Sequence, residues 1–287
     1  MTNFQITPLQ AGLYFVATPI GSARDITLRA LDILASADIL AAEDTRTARK
    51  LMEIHGVPLK DRSIVAFHDH SGPAVIQRLV DQIAGGKSVA YFSEAGMPLV
   101  ADPGFELGNA VTQAGYNVTC APGASAPLTA LTLAGLPTDR FAFFGFLPST
   151  KSQRQTAIAN LHDVEMTLIF FESPKRIGEF LIDLRDILGG GRQAAVCREL
   201  TKKFEEVSRG TLAELADVFF DRSVKGELVI LVDRSKGDGA SEADIDQALE
   251  AALKTMRVKD AATTVAGALG LPRKSVYQRA LNLKDKT

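Results

Sequence analysis

The chain has 287 residues, 46% apolar and 23% charged, a composition of ordinary globular domains that excludes a disordered or fibrous polymer. A net charge of -2 excludes a uniformly basic surface, and only two cysteines, Cys120 and Cys197, exclude a disulfide scaffold or a cysteine-built zinc cluster. No apolar run reaches the ~18 residues of a membrane span, and Met1 to Gln10 lacks the basic start and apolar run of a signal peptide, so a cytoplasmic protein without membrane contact is expected.

Taken in chain order, short apolar runs alternate with helix-like segments and end at Gly, Pro, Asp or Ser. Strands are predicted at 12–17, 38–42, 63–67, 88–92 and 116–120, and helices at 27–34, 45–54, 74–84, 105–114 and 125–134. Five strands alternating with helices imply a largely parallel sheet covered on both faces, with ligands at the carboxyl ends of its strands. Residues 136–140 join this domain, 1–137, to a second α+β domain, 138–234. Its strands are predicted at 141–146, 167–171, 194–197, 205–209 and 227–232, and its helices at 152–161, 177–188 and 212–219. Residues 234–241 read as a linker, and 235–287 as linker plus a basic tail. From Lys254 onward eight basic residues face two acidic ones, so the tail carries +6 and the rest -8, a split that points to a polyanion. Residues 260–270 and 271–281 fit helix, Gly turn, helix, with Pro272 at a first helical position and Arg273, Lys274 and Arg279 on the second helix.

Three loops of small residues fall at predicted strand ends: Thr18-Pro19-Ile20-Gly21, the Ser93 to Gly104 segment, and Pro122-Gly123-Ala124-Ser125-Ala126-Pro127, whose Ser125 can cap the helix after it. One sheet edge would bring them to one crevice, although Gly and Pro also punctuate ordinary turns. Neither G-x-x-x-x-G-K-[ST] nor a strand followed by G-x-G-x-x-G is present, which weighs against nucleotide hydrolysis and dinucleotide redox chemistry. Polar residues close other strands: Glu43-Asp44-Thr45-Arg46, His68-Asp69-His70, Glu172-Ser173-Pro174-Lys175-Arg176 and Arg198-Glu199-Leu200-Thr201-Lys202-Lys203. Glu43 and Asp44 suit a helix N-terminus as well as a site, and the basic residues suit a solvated face as well as a phosphate track. No metal is assigned to the histidine pair.

These ordered motifs, together with Ala134-Gly135-Leu136-Pro137, resemble the ribosomal small subunit methyltransferase I family of the tetrapyrrole-methylase superfamily over residues 12–232, with a matching type of tail. The resemblance implies a class III methyltransferase fold: two α/β domains with S-adenosyl-L-methionine in the cleft between them and a small C-terminal helical tail. It further implies a homodimer that 2′-O-methylates the ribose of cytidine 1402 in 16S rRNA of the 30S subunit. Carried over by motif position, Pro19, Ala95, Gly96, Met97, Val100, Ser125, Ala126, Glu172, Leu200 and Leu228 would hold the cofactor. Glu94 and Met97 stand where Asp and Thr are usual, Ser22 where Asn is usual, and Lys175 where His is frequent. A sulfonium methyl is already activated, so the protein must align the ribose oxygen, exclude water and accept a proton. Glu43, Asp44, His68, Glu172 and Glu199 are the nominated acceptors, and Arg46, Lys175 and Arg198, with Arg273, Lys274 and Arg279 of the tail, the nominated RNA contacts. Competing readings are a porphyrinogen or precorrin C-methyltransferase on the same fold and a non-enzymatic nucleic-acid-binding regulator. Against the first stand the glycine-poor first loop and the +6 tail; against the second stand the three aligned loops.

Overall fold

The computed structural model describes residues 3–68, 71–235, 242–269 and 273–284. They form two compact units, Met1–Leu161 with Thr167–Asp233, and His162–Met166 with Arg234–Thr287.

The first unit holds two five-stranded sheets. In the first, β1 (Gly12–Val16), β2 (Ile39–Ala42), β3 (Ile64–Ala66), β4 (Ser88–Phe92) and β5 (Val118–Ala121) lie in the order β3-β2-β4-β1-β5, every pair parallel. All five residues of β1 are buried, because helices cover both faces. Against one face Leu31 and Leu34 of α1 (Leu28–Ser36) and Met52 of α2 (Thr45–Ile54) pack on Val16, Leu40 and Phe92. Against the other, Leu79 and Ile83 of α3 (Pro73–Ala84) and Leu107 and Val111 of α4 (Phe105–Gln113) pack on Phe15 and Tyr91. The strand predicted from Asp38 starts one residue later, because Asp38 Oδ2 instead accepts from Ser88 N at 2.8 Å and Ser88 Oγ at 2.7 Å and pins β2 to β4.

The second sheet has the order β6-β7-β10-β8-β9, from β6 (Phe141–Phe146), β7 (Thr167–Glu172), β8 (Gln193–Arg198), β9 (Glu206–Thr211) and β10 (Leu228–Val232). Only β6 and β7 pair in parallel; the remaining pairs are antiparallel, as the α+β reading expects. One face receives α5 (Ala126–Ala134), whose Ala130, Leu131 and Ala134 pack with Ile20, Ile169, Ala195, Cys197 and Val229. A helix that follows a strand of the first sheet thus covers the second, and draws the two together. On the other side lie α6 (Lys151–Ala159), α7 (Ile177–Leu188) and α8 (Leu212–Phe220), with Phe180 of α7 set 5.6 Å from Phe170 of β7. Register on β6 slips once: Phe143 pairs with Ile169 and Phe146 with Phe171, so β6 spends one residue more than β7, at Gly145 with φ 60°.

In the second unit, α9 (Glu242–Leu253), α10 (Val258–Leu269) and α11 (Arg273–Lys284) close over Leu249, Ala262, Val265, Ala266, Val276 and Ala280. Helix α9 was not expected, and it carries Glu242, Asp244, Asp246 and Glu250 with no basic residue. Most of the expected linker, and the turn with Pro272, lie outside the described residues.

Candidate active site

A cavity of about 370 Å³ opens between the two sheets. The strand order explains its position: β1 lies between β4 and β5, so the segments leaving these three strands meet at one edge. The first two are joined as a two-residue ladder, Thr18 N to Gly96 O at 2.9 Å and Gly96 N to Thr18 O at 3.0 Å, while Ser93 Oγ donates to Gly96 O at 3.2 Å. Gly96 has φ 82°, and a Cβ there would stand 3.3 Å from Ile20 Cγ2. The wall consists of Ile20 from the first segment, residues 95–97 and 100–102 from the second, and 125–127 from the third. Phe146, residues 171–174 and residues 226–229 complete it from the second sheet.

Glu172, the last residue of β7, is 2% exposed. Its Oε1 accepts from Ser173 N at 2.6 Å and from Arg176 Nε at 2.8 Å, whereas Oε2 is buried with no hydrogen-bond partner among the described residues. A buried carboxylate oxygen left so costs free energy unless a ligand supplies a donor.

Beside the cavity the turn after β8 is tightly built. Lys202 Nζ donates to Glu199 Oε1 at 2.9 Å and to Glu227 Oε2 at 3.0 Å, and Glu227 N donates to Glu199 Oε1 at 3.1 Å. Burial pushes the Glu199 carboxyl up, but these hydrogen bonds and the nearby cations outweigh it and hold the group below the usual carboxylate range. Thr201 Oγ1 accepts from Ser22 N at 3.0 Å, fastening this turn to the first segment, and a Cβ on Gly21 would lie 2.6 Å from that oxygen. Of the five non-glycine residues with positive φ among the described residues, four border this region: Leu99, Ala101, Glu199 and Thr201. Such conformations cost on the order of 1–2 kcal/mol each, a concentration of strain typical of ligand-binding segments.

Of the residues nominated for the cofactor, Ala95, Gly96, Met97, Val100, Ser125, Ala126, Glu172 and Leu228 line the cavity. Pro19 and Leu200 do not; Leu200 is buried in the apolar cluster that includes Ile20. Among the nominated proton acceptors only Glu172 is in the wall. Glu43, Asp44 and His68 follow β2 and β3, on the far side of β4 from β1. Asp44 caps α2, Oδ1 accepting from Arg46 N at 2.7 Å and Thr47 N at 3.3 Å, and these N–H groups hold its carboxyl below the ordinary range. Glu199 stands behind Gly226, where an added side chain would collide with its carboxylate. Arg46 is exposed and pairs with Asp44 at 3.4 Å, while Lys175 is exposed one residue beyond the wall at Pro174. Arg198 donates from Nε to Glu206 at 3.1 Å and from Nη1 to the Lys225 carbonyl at 3.3 Å, and Arg279 makes a two-pronged pair with Asp246. Arg273 and Lys274 are exposed, whereas Asp69 and His70 lie outside the described residues.

Sequence reasoning missed Phe146, Gly226 and Glu227, while Asp102 lay within the Ser93 to Gly104 loop without being singled out. Gly226 and Glu227 escape a search of strand carboxyl ends because antiparallel β10 brings its amino end to the cavity, Leu228 opposite Glu172. The signal available was the Gly-Glu pair directly before a fully apolar strand.

A ligand cleft framed by loops of a parallel sheet and by strand ends of a mixed one defines a methyltransferase of the tetrapyrrole-methylase fold, and residues 12–216 match the family model for Tetrapyrrole (Corrin/Porphyrin) Methylases. The solved methyltransferase CobJ superposes with a TM-score of 0.58 at 18% identity, covering 78% of this chain and 95% of its own. Residues 239–284 match the RsmI C-terminal HTH domain. A Mesorhizobium japonicum protein named ribosomal RNA small subunit methyltransferase I is 45% identical over 285 residues, 99% of this chain and 96% of that protein. One of the same name from Vibrio cholerae is 42% identical, covering 98% of each. The chain belongs to the ribosomal RNA small subunit methyltransferase I family. The methyl donor of these enzymes is S-adenosylmethionine, and the small-residue cradle at Gly96 and Ser125, with the unpartnered Glu172 oxygen, fits such a group.

Proposed function

We propose that this protein transfers a methyl group to the 2′-oxygen of the ribose of cytidine 1402 in 16S rRNA, acting as a cytoplasmic homodimer on the 30S subunit. The division into domains 1–137, 138–234 and 235–287 belongs to the same reading, the first two framing the cofactor cleft and the third meeting RNA. The names of the full-length relatives support an rRNA substrate. The observation that carries the site assignment is the buried Glu172 oxygen in a cavity otherwise walled mainly by small and apolar residues.

The bound donor supplies an activated methyl group on a sulfonium centre. Backbone groups of Ala95, Gly96, Ser125 and Ala126 would hold it, because these small side chains leave the main chain accessible. Ile20, Met97 and Leu228 exclude water, and Arg176 fixes one Glu172 oxygen so that the other meets a polar hydrogen of the bound reactants. Alignment supplies the larger part of the acceleration, since well-oriented reactants gain on the order of 7–11 kcal/mol over free encounter. Lys175, beside the mouth, and Arg273 and Lys274 of α11 contact RNA phosphates.

The test is methyl transfer from radiolabelled S-adenosylmethionine to 30S particles lacking the modification, with the product mapped to a nucleotide and to base or ribose. Label on the ribose of the named cytidine supports the reading; label on a base, or on a porphyrinogen instead of RNA, overturns it.

A further inference from the structure

The slip on β6 decides where one aromatic ring points. Along a regular strand residues 143 and 146 would face opposite sides of the sheet. The extra residue at Gly145 puts Phe146 on the same face as Phe143, and both rings then flank Phe171, at centroid distances of 5.4 and 4.8 Å. Phe146 consequently lines the cavity, yet it is 58% exposed. Clefts for small ligands enclose most of the ligand surface, so the buried wall at Ile20, Gly96 and Leu228 would hold the cofactor and leave the open ring of Phe146 for the second reactant. Lys175, exposed, directly follows the wall residue Pro174, so the chain carries a cation one residue beyond the cavity wall. Bulges beside active sites commonly re-aim one side chain in this way.

We propose that Phe146 is the platform on which the nucleobase of the target RNA nucleotide stacks, holding its ribose over the cavity; this rests on the RNA-methylation reading above. The experiment compares F146A, F146L and F146W in the full-length protein. Measured are the KM for unmodified 30S particles, S-adenosylmethionine affinity by calorimetry, thermal melting and mass in solution. Removing an aromatic platform weakens nucleic-acid binding by roughly 5- to 150-fold. F146A and F146L are expected to raise KM for 30S particles by about that factor and F146W to restore it, with cofactor affinity unchanged within twofold and melting and mass unchanged. F146L with wild-type KM would overturn the inference, because bulk without a π-face would suffice. So would parallel loss of cofactor affinity, which would place the ring on the cofactor, or a changed mass, which would place it in a subunit contact. Wild-type protein that binds the cofactor but methylates no RNA sinks the underlying reading instead.

Discussion

Glu172 and Asp44 are carboxylates at strand ends with opposite surroundings. Both Asp44 cap bonds go to the first turn of α2, so Asp44→Ala should lower the melting temperature by a few degrees and leave methyl transfer to 30S particles within a few-fold of wild type. Glu172→Gln keeps the shape and removes the charge. A hydrogen bond to a charged acceptor contributes about 1.5–3 kcal/mol, so kcat/KM should fall roughly 10- to 150-fold with melting little changed, as read by steady-state assay and calorimetry. Glu172 was legible in the sequence because it ends an apolar run and begins a polar one. Phe146 was not, since four phenylalanines within 141–146 read as core, and only the slip before Phe146 brings that ring to the cavity face.

A few charged contacts add to the apolar packing between elements. Arg154 of α6 and Asp183 of α7 are both buried, with Nε and Nη2 each 2.7 Å from Oδ2, and Gln155 Nε2 reaches Oδ1 at 2.9 Å. Removing one partner of such a pair strands the other, so Arg154→Met should cost about 3–5 kcal/mol in urea unfolding. On β9, side-chain hydrogen bonds from Arg222, and then from Arg198, overcome burial and bring the Glu206 carboxyl from 4.5 down to about 2. The folded value lies below the unfolded one, so this contribution to stability is full above pH ~4.5 and is lost as pH falls toward 2. Glu206→Gln should therefore be less stable at neutral pH and lose less on acidification across that window, read by chemical denaturation at several pH values. The βα rhythm made most of these elements legible, down to identical bounds for α2, β4, β6 and α7. The sequence did not reveal α9, which abuts a polar segment and carries acidic residues through its length, nor the direction of β10, which apolar periodicity leaves open.

At the scale of the molecule, charge is divided unevenly. The +6 segment from Lys254 was plain in the sequence, but its partner was not: Arg279 of α11 pairs with Asp246 of acidic α9, so part of that positive charge is spent inside the tail's own fold. If Arg273 and Lys274 contact phosphates, replacing both with Gln should reduce the slope of log affinity against log salt by about 1–2, whereas Arg279→Gln should chiefly loosen the tail. Equilibrium titration on 30S particles at several salt concentrations separates the two. The position of β10 has another bearing. This last strand of the first unit lies in the middle of its sheet, between β7 and β8, and residues 226–229 close the cavity. During synthesis, β7 and β8 must wait with unmated inner edges until the final stretch emerges, and a chain interrupted before residue 226 has no pocket floor. The cavity is therefore complete only once residues 226–229 have been made, and a chain ending before residue 226 is expected to show no methyl transfer.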